Sequence, residues 1–193
     1  MSEKLQRYSA VAAALHWAIA VLILFNLGFG FFMEGFKVPL KFLILDLHIS
    51  SGITALALTV VRIVWRLTHR PPPFAPGLSP LEAGAAHTVH FLLYAAMLLM
   101  PLTGWSIISA HQPNPHFAGA GLWLSPVHLP AIGPIASLDP HFQAQMHANL
   151  VTAHTIGGYI LLALLVLHVA GALKHQFLDG HREFARMGFG RAS

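Results

Sequence analysis

His154 and His168 lie 14 residues apart in a stretch, 140–173, that contains no Asp, Glu, Lys or Arg. In an α-helix this spacing places the two imidazoles about 21 Å apart along the axis and within about 40° of the same face. The apolar core of a bilayer is about 30 Å thick. The spacing therefore predicts two imidazoles that point the same way, one near each membrane surface. That arrangement suits two stacked metal centres, for which haem is the first candidate.

Two more histidines fall where partners for this pair are needed. His16 lies in the first uncharged run and His48 at the start of the second apolar run. Depth in the membrane pairs His16 with His168, and His48 with His154. Each pair offers two neutral imidazoles, the axial ligands of a low-spin b-type haem. The alternative is that each histidine only hydrogen-bonds across helices, but four histidines that pair by depth favour haem ligation.

The composition indicates the elements that hold these histidines. Of the 193 residues, 55% are hydrophobic and 9% are charged, whereas soluble domains carry about 25% charged residues. We therefore predict an all-α membrane protein, a four-transmembrane-helix bundle holding two b haems, in a single domain over residues 1–193. The predicted helices lie near 10–33, 45–67, 84–110 and 146–174, with a long, proline-rich external loop at 111–145.

Charge sets the expected orientation. Nine of the eleven Lys and Arg residues fall on the side of the two termini, and only Lys37 and Lys41 fall on the other. The positive-inside rule then predicts a multi-pass protein of the bacterial inner (plasma) membrane with both termini cytoplasmic. The pI near 9.9 reflects this topology and attraction to membrane lipid rather than nucleic-acid binding. The N-terminal apolar run is too long for a typical signal peptide, so we expect it to be retained.

Cysteine is absent, which excludes disulfides, iron–sulfur clusters and covalent c-type haem attachment. Gly52 and Gly158 each follow a predicted ligand by one helical turn. A glycine there leaves room for a flat macrocycle, although close helix packing is an equal alternative. Arg62 lies 14 residues after His48, where it either pairs with a haem propionate or quinone carbonyl or anchors the helix in the membrane.

The remaining histidines receive weaker roles. His175 and His147 extend the heptad series of the fourth helix and are competitors for ligation, better suited by depth to proton transfer or propionate contacts. His87 and His90 open the third helix and are candidates to line a quinone pocket beside the inner haem. The loop histidines are assigned no role; they are His111, His116, His128 and His141.

These residues occur in a recognisable pattern that spans nearly the whole chain. The segments are Leu15-His16-Trp17, Leu47-His48-Ile49-Ser50-Ser51-Gly52, Val61-Arg62, Ala86-His87-Thr88-Val89-His90, Pro101-Leu102-Thr103-Gly104, and Leu167-His168 with Ala172-Leu173-Lys174-His175. The chain thereby resembles the bacterial cytochrome b561 family of small di-haem membrane proteins.

The resemblance implies the same haem pairs, a quinone-linked electron carrier, and a quinone site near His175 and Arg62. At least one kind of member resembles a superoxide oxidase that passes an electron to ubiquinone. Thr155 departs from the pattern, since an acidic residue often follows the histidine at this position. The external side also offers only Lys37 and Lys41 to attract an anion, which weakens superoxide as the substrate.

Three functions compete. The first is an oxidoreductase that moves electrons from an external donor such as superoxide, through both haems, to ubiquinone near His175, His87 and Arg62. The second is a haem-b relay subunit of a larger dehydrogenase or hydrogenase complex that docks at the external loop. An active monomer or homodimer would favour the first, and a stoichiometric protein partner the second. A histidine-rich metal transporter is disfavoured because no acidic residue lies deep in any span.

Overall fold

Long helices make up most of the computed structural model, which describes residues 6–73, 77–110, 122–124 and 128–188. The helices are α1 (Ala10–Phe32), α2 (Leu40–Thr68), α3 (Pro80–Ser109), α4 (Gly133–Ala136), α5 (Pro140–Phe177) and α6 (Glu183–Arg186). Short 3₁₀ turns lie at Met33–Gly35 and Leu122–Leu124. The helices α1, α2, α3 and α5 are each long and apolar enough to cross a membrane, which confirms the predicted fold class.

The third and fourth long helices begin earlier than the predicted residues 84 and 146. At the start of α3, the Ser79 hydroxyl accepts from the Glu82 amide and the Glu82 carboxylate accepts from the Ser79 amide, a capping box with Pro80 in the first turn. At the start of α5, the Asp139 carboxylate accepts from the His141 amide and Pro140 follows. The prediction that the loop runs to residue 145 is therefore wrong, because the cap at Asp139 makes residues 140–145 helical.

Two helix pairs pack side by side to form the bundle. Helix α1 packs along α2, α3 packs along α5, and contacts between α2 and α3 join the pairs. Between α3 and α5 the core consists of Leu93, Leu161 and Leu164. Helix α2 instead buries small side chains, including Ser50, Ser51, Ala55 and Thr59. Small residues let helix backbones approach closely in a membrane, where lipid supplies no hydrophobic drive for association.

Arg186 ties three parts of the chain together at one end of the bundle. Its side chain is buried, and its guanidinium donates to the carbonyl oxygens of Gln6 and Pro73. The Tyr8 amide donates in turn to the Arg186 carbonyl at 3.1 Å. The N-terminal segment, the α2–α3 connection and the C-terminal segment therefore share this end, which we call the terminal end. The opposite end is called the distal end.

Part of the predicted external loop lies against α2 near the distal end. The Trp123 amide donates to Ser50 Oγ at 2.7 Å, its indole Nε1 donates to Thr54 Oγ1 at 3.1 Å, and the Leu124 amide donates to Asp46 Oδ2 at 3.1 Å. Trp123 and Leu124 have φ values of 55° and 59°, a left-handed backbone that costs an ordinary residue about 1–2 kcal/mol. The three hydrogen bonds hold the turn in this unfavourable conformation.

Candidate functional site

His48 on α2 and His154 on α5 face each other at the distal end and are called the distal pair. Their ring centres are 6.0 Å apart. A metal bound to one nitrogen of each ring at about 2 Å, with each nitrogen about 1 Å from its ring centre, would hold the centres about 6 Å apart. The separation is therefore the one that two axial ligands of a single iron require.

The remaining nitrogens of the distal pair are occupied in a way that fixes the proton. His48 Nδ1 lies 3.1 Å from the Asn26 carbonyl oxygen, which can only accept. His154 Nδ1 lies 2.8 Å from Thr103 Oγ1, whose own hydrogen goes to the Met100 carbonyl. Both imidazoles must then carry their proton on Nδ1, which leaves each Nε2 lone pair free to bind a metal. Metal-ligating histidines typically show this hydrogen bond on the second nitrogen.

Two glycines let the distal pair approach the neighbouring helices. A Cβ placed at Gly30 of α1 would lie 3.3 Å from His48 Cε1, and one placed at Gly104 of α3 would lie 3.4 Å from His154 Cε1. Gly30 is one turn after Asn26, whose carbonyl anchors His48, and Gly104 directly follows Thr103, whose hydroxyl anchors His154. The role of these two glycines was not predicted, because no local pattern in the sequence marks a contact with a ring on another helix.

His16 on α1 and His168 on α5 form the terminal pair, with ring centres 6.1 Å apart. Arg62 Nη2 lies 3.3 Å from His16 Nδ1, and because a guanidinium only donates, Nδ1 is the acceptor in this contact. Ligation through Nε2 places the proton on Nδ1 instead, so Arg62 must then leave that atom. The guanidinium would keep two other acceptors, because it also donates to the Tyr94 hydroxyl and to the Ala12 carbonyl.

A third imidazole joins the terminal pair. The ring of His90 on α3 lies 5.2 Å from that of His168. This separation is shorter than the roughly 6 Å that two imidazoles on opposite sides of one metal need, so His16 remains the better partner of His168. His90, predicted to line a pocket beside the inner haem, therefore lies directly beside one of the predicted ligands.

The helix packing also suits a large group between the paired rings. Helix α5 supplies one histidine to each pair, but it packs along α3 and scarcely approaches the backbone of α1. The partners His16 and His48 stand on α1 and α2. The facing histidines therefore stand on helices whose backbones remain apart, as a macrocycle lying between them requires. Taken together, the ring separations of both pairs, and the free Nε2 atoms and glycine clearances of the distal pair, fit b-type haem.

The contacts of the other predicted cofactor residues do not point to a particular role. A Cβ at Gly52 would lie 3.5 Å from Asn26 Oδ1, an ordinary contact, and one at Gly158 would meet no atom within 4 Å. His87 Nδ1 bonds the Ala83 carbonyl of its own helix at 2.8 Å. Arg62 is linked to the terminal pair, as described above, and the haem-facing role of Gly52 and Gly158 stays a prediction.

His175, predicted beside a quinone, belongs to a cluster at the end of α5. Its Nδ1 lies 2.6 Å from Asp179 Oδ2, which also accepts from Lys174 Nζ at 2.7 Å. The hydrogen bonds from Lys174 and His175 hold the pKa of Asp179 below its usual value. His141 lies in the first turn of α5, while His111 and His116 fall outside the described residues.

Comparisons with known proteins agree with this geometry. The family model of prokaryotic cytochrome b561 matches residues 7–190. The chain is similar to cytochrome b561 homolog 2 of Escherichia coli strain K12, with 28% identity over 94% of this chain and 91% of the relative. It is also similar to the probable superoxide oxidase CybB of Yersinia pestis, with 26% identity over 94% of this chain and 96% of the relative.

A third relative is cytochrome b562 of Cereibacter sphaeroides, with 35% identity over 93% of this chain and 94% of the relative. Each of these matches extends over nearly the full length of both proteins, so the likeness spans all four long helices. The chain belongs to the prokaryotic cytochrome b561 family of membrane b-type cytochromes that transfer electrons.

Proposed function

We propose that this protein carries electrons across the membrane through two b haems, one between His48 and His154 and the other between His16 and His168. The observation that carries the proposal is the repeated geometry of the two pairs. Ring centres 6.0 and 6.1 Å apart occur at two depths of one continuous helix, α5. Isolated buried histidines that merely hydrogen-bond across helices have no reason to recur at this separation.

When bound, haem supplies a reversible one-electron iron couple, and the protein supplies position and environment. Asn26 and Thr103 hold the rings of the distal pair through Nδ1, which leaves both Nε2 atoms available to the iron. Because two histidines would hold each haem, no open position would remain on the iron, and a donor or acceptor would exchange electrons through the edge of the bound group. The cationic Arg62 beside the terminal pair is placed to stabilise a reduced group or to bind a propionate.

The proposed donor acts at the distal end, and superoxide is the first candidate because one relative is a probable superoxide oxidase. The charges there do not favour an anion. The distal lysines are Lys37 and Lys41, and Lys41 is paired with Glu34 at 2.5 Å. The predicted topology places two further carboxylates, Asp46 and Asp139, on the same side of the membrane as these lysines. A small neutral or anionic donor would therefore reach this end by diffusion with little electrostatic steering.

The proposed acceptor is ubiquinone at the terminal end, near His175, Arg62 and His87. Arg62 is half-buried beside the terminal pair, where its donors suit a quinone carbonyl oxygen. The Lys and Arg distribution supports placing this end in the cytoplasm and the protein in the bacterial inner membrane. Electrons would then pass from the outer donor to the inner acceptor. Two superoxide ions would each give up one electron and become O₂, and one quinone would take up both electrons together with two protons from the cytoplasmic side to become quinol.

The test uses purified protein, a steady source of superoxide and a soluble ubiquinone, with quinol formation as the measurement. We expect quinol formation by the wild type and by His141→Ala, a control that removes an imidazole on α5 outside both pairs. His48→Ala should remove the activity. No activity in the wild type without an added protein partner would overturn the proposal in favour of a relay subunit.

A further inference from the structure

A second group of metal-ligating side chains lies at the terminal end, outside both histidine pairs. It consists of His175 in the last turn of α5, with Asp179 and His181 in the segment that follows. One ligand atom from each residue lies within 4.8 Å of those of the other two. The rings of His175 and His181 are nearly parallel, with centres 5.8 Å apart and planes inclined by 23°.

The backbone holds this group in place. The chain turns back after α5 as the Leu178 amide donates to the Lys174 carbonyl at 2.8 Å, and the His181 amide donates to the His175 carbonyl at 2.8 Å. His181 is thereby held beside His175 by a main-chain hydrogen bond. A site whose ligands are held by the backbone loses little conformational entropy when an ion binds.

One nitrogen of the His181 ring lacks a hydrogen-bond partner. Its Nδ1 is buried but has no hydrogen-bond partner. A buried polar atom without a partner carries a desolvation cost of about 1–3 kcal/mol. This atom is the independent sign of a ligand, because a metal ion bound at the lone pair of Nδ1 would satisfy it.

We propose that His175, Asp179 and His181 form a binding site for a divalent transition-metal ion, with Zn²⁺ as the ion best matched. Two imidazoles and one carboxylate are ligands that Zn²⁺ accepts, whereas Mg²⁺ and Ca²⁺ prefer oxygen alone. With metal–ligand distances of about 2.0–2.2 Å, tetrahedral ligands lie about 3.4 Å apart. The three ligand atoms, which lie within 4.8 Å of one another, would move closer to reach that spacing, and water would complete the coordination.

Lys174 is the cation that competes with the metal. Its Nζ lies 2.7 Å from Asp179 Oδ2 and also 2.7 Å from Glu82 Oε1. An incoming ion would replace the ammonium on Asp179 and leave Lys174 bound to Glu82 alone. Removing the lysine charge should therefore strengthen binding, while removing Asp179 or His181 should weaken it. The ion would fasten the segment after α5 to the helix that supplies a ligand to each histidine pair.

The experiment titrates tag-free full-length protein, in mild detergent, with Zn²⁺ against a chromophoric chelator, and measures the Zn K-edge absorption of the loaded protein. We expect one ion per chain with two imidazole ligands. His181→Ala and Asp179→Asn should each weaken binding by about tenfold or more, as loss of metal-site residues does. Lys174→Gln should strengthen it, and His69→Ala, which removes an exposed imidazole elsewhere, should leave the affinity unchanged.

Two results would overturn the site. One is the absence of stoichiometric binding by the wild type. The other is binding that His181→Ala and His69→Ala weaken equally, which would mean an adventitious ion on surface histidines. The opposite sign expected for Lys174→Gln keeps the test decisive if one of the weakening variants fails to fold. None of these measurements depends on haem or quinone. The metal site can therefore be refuted without refuting the proposed electron transfer, and the reverse also holds.

Discussion

At the scale of single residues, the geometry of the distal pair depends on what surrounds the imidazoles as much as on the imidazoles themselves. His48 reaches the Asn26 carbonyl across α1 because Gly30 has no side chain at the crossing. His154 reaches Thr103 beside Gly104 in the same manner. These contacts fix both proton positions and present both Nε2 atoms, which is the condition for ligation of one iron.

Gly30→Ala should therefore lower haem occupancy at the distal pair. The added methyl group would lie 3.3 Å from His48 Cε1, closer than ordinary van der Waals contact, so the ring must move away from the Asn26 carbonyl. Gly28→Ala is the matched control, because it makes the same change two residues away on α1, where a Cβ meets no atom within 4 Å. Haem content per chain is the measurement, and equal loss in the two variants would contradict the account.

Thr103→Val should shift the reduction potential of the distal haem or release the haem, because the His154 N–H loses its acceptor. Losses of about 10–100-fold in metal affinity are typical when the partner of a ligating histidine is removed. Thr103→Ser keeps the hydroxyl and should retain most of the wild-type behaviour. A redox titration of the three proteins distinguishes the cases, and a Thr103→Val protein with unchanged potential and haem content would refute this role.

The sequence alone predicted the four histidines but not these supporting residues. Spacing along one helix places His154 and His168 at two depths, because helical rise is regular. The contact of His48 with residues 26 and 30 depends on how α1 is rotated about its axis against α2. That rotation is set by packing across helices, and no local pattern in the chain encodes it.

At the scale of helices, α5 holds the site together. It runs unbroken for 38 residues, about 57 Å at 1.5 Å per residue, which exceeds the apolar thickness of the membrane. It therefore carries one histidine of each pair and is long enough to extend beyond the bilayer. The start of α5 at Pro140 was not predicted from hydrophobicity, because the first turns of the helix contain several polar residues. Only the capping residue Asp139 indicates where the helix begins.

The distal turn at Leu122–Leu124 is the other element near the site. Ser50→Ala should loosen it, because the Trp123 amide would lose an acceptor at 2.7 Å while the turn keeps its left-handed backbone. Faster limited proteolysis of the external loop and a changed tryptophan emission are the expected signs. Ser106→Ala is the control, since that hydroxyl bonds only a carbonyl of its own helix in the described contacts. Equal protease resistance of wild type and Ser50→Ala would contradict the role of this contact.

At the scale of the whole molecule, the two ends differ in charge. Among the described residues, the terminal end collects Arg7, Arg70, Arg182 and Arg186, whereas at the distal end Lys41 is paired with the carboxylate of Glu34. Sequence predicted this asymmetry because Lys and Arg could be counted directly. It did not predict how Arg186 fastens the terminal end, since residues 6, 73 and 186 are remote in the chain and meet only through the fold.

The charge of the distal end has a kinetic consequence. If superoxide is the donor, its rate constant should change by less than about twofold between low salt and 0.15 M salt, because steering by a positive surface would instead make it fall steeply. Stopped-flow reduction of the protein in a neutral detergent measures this dependence. A steep fall with salt would show a positive funnel that the distal charges do not account for.

If each histidine pair binds one haem, the number of haems per chain and the reduced-minus-oxidised spectrum will show it. We expect two non-covalent b haems in the wild type, one in His48→Ala, one in His16→Ala with a different spectrum, and two in His141→Ala. A wild type with no haem, or single variants in either pair that retain both haems, would contradict it.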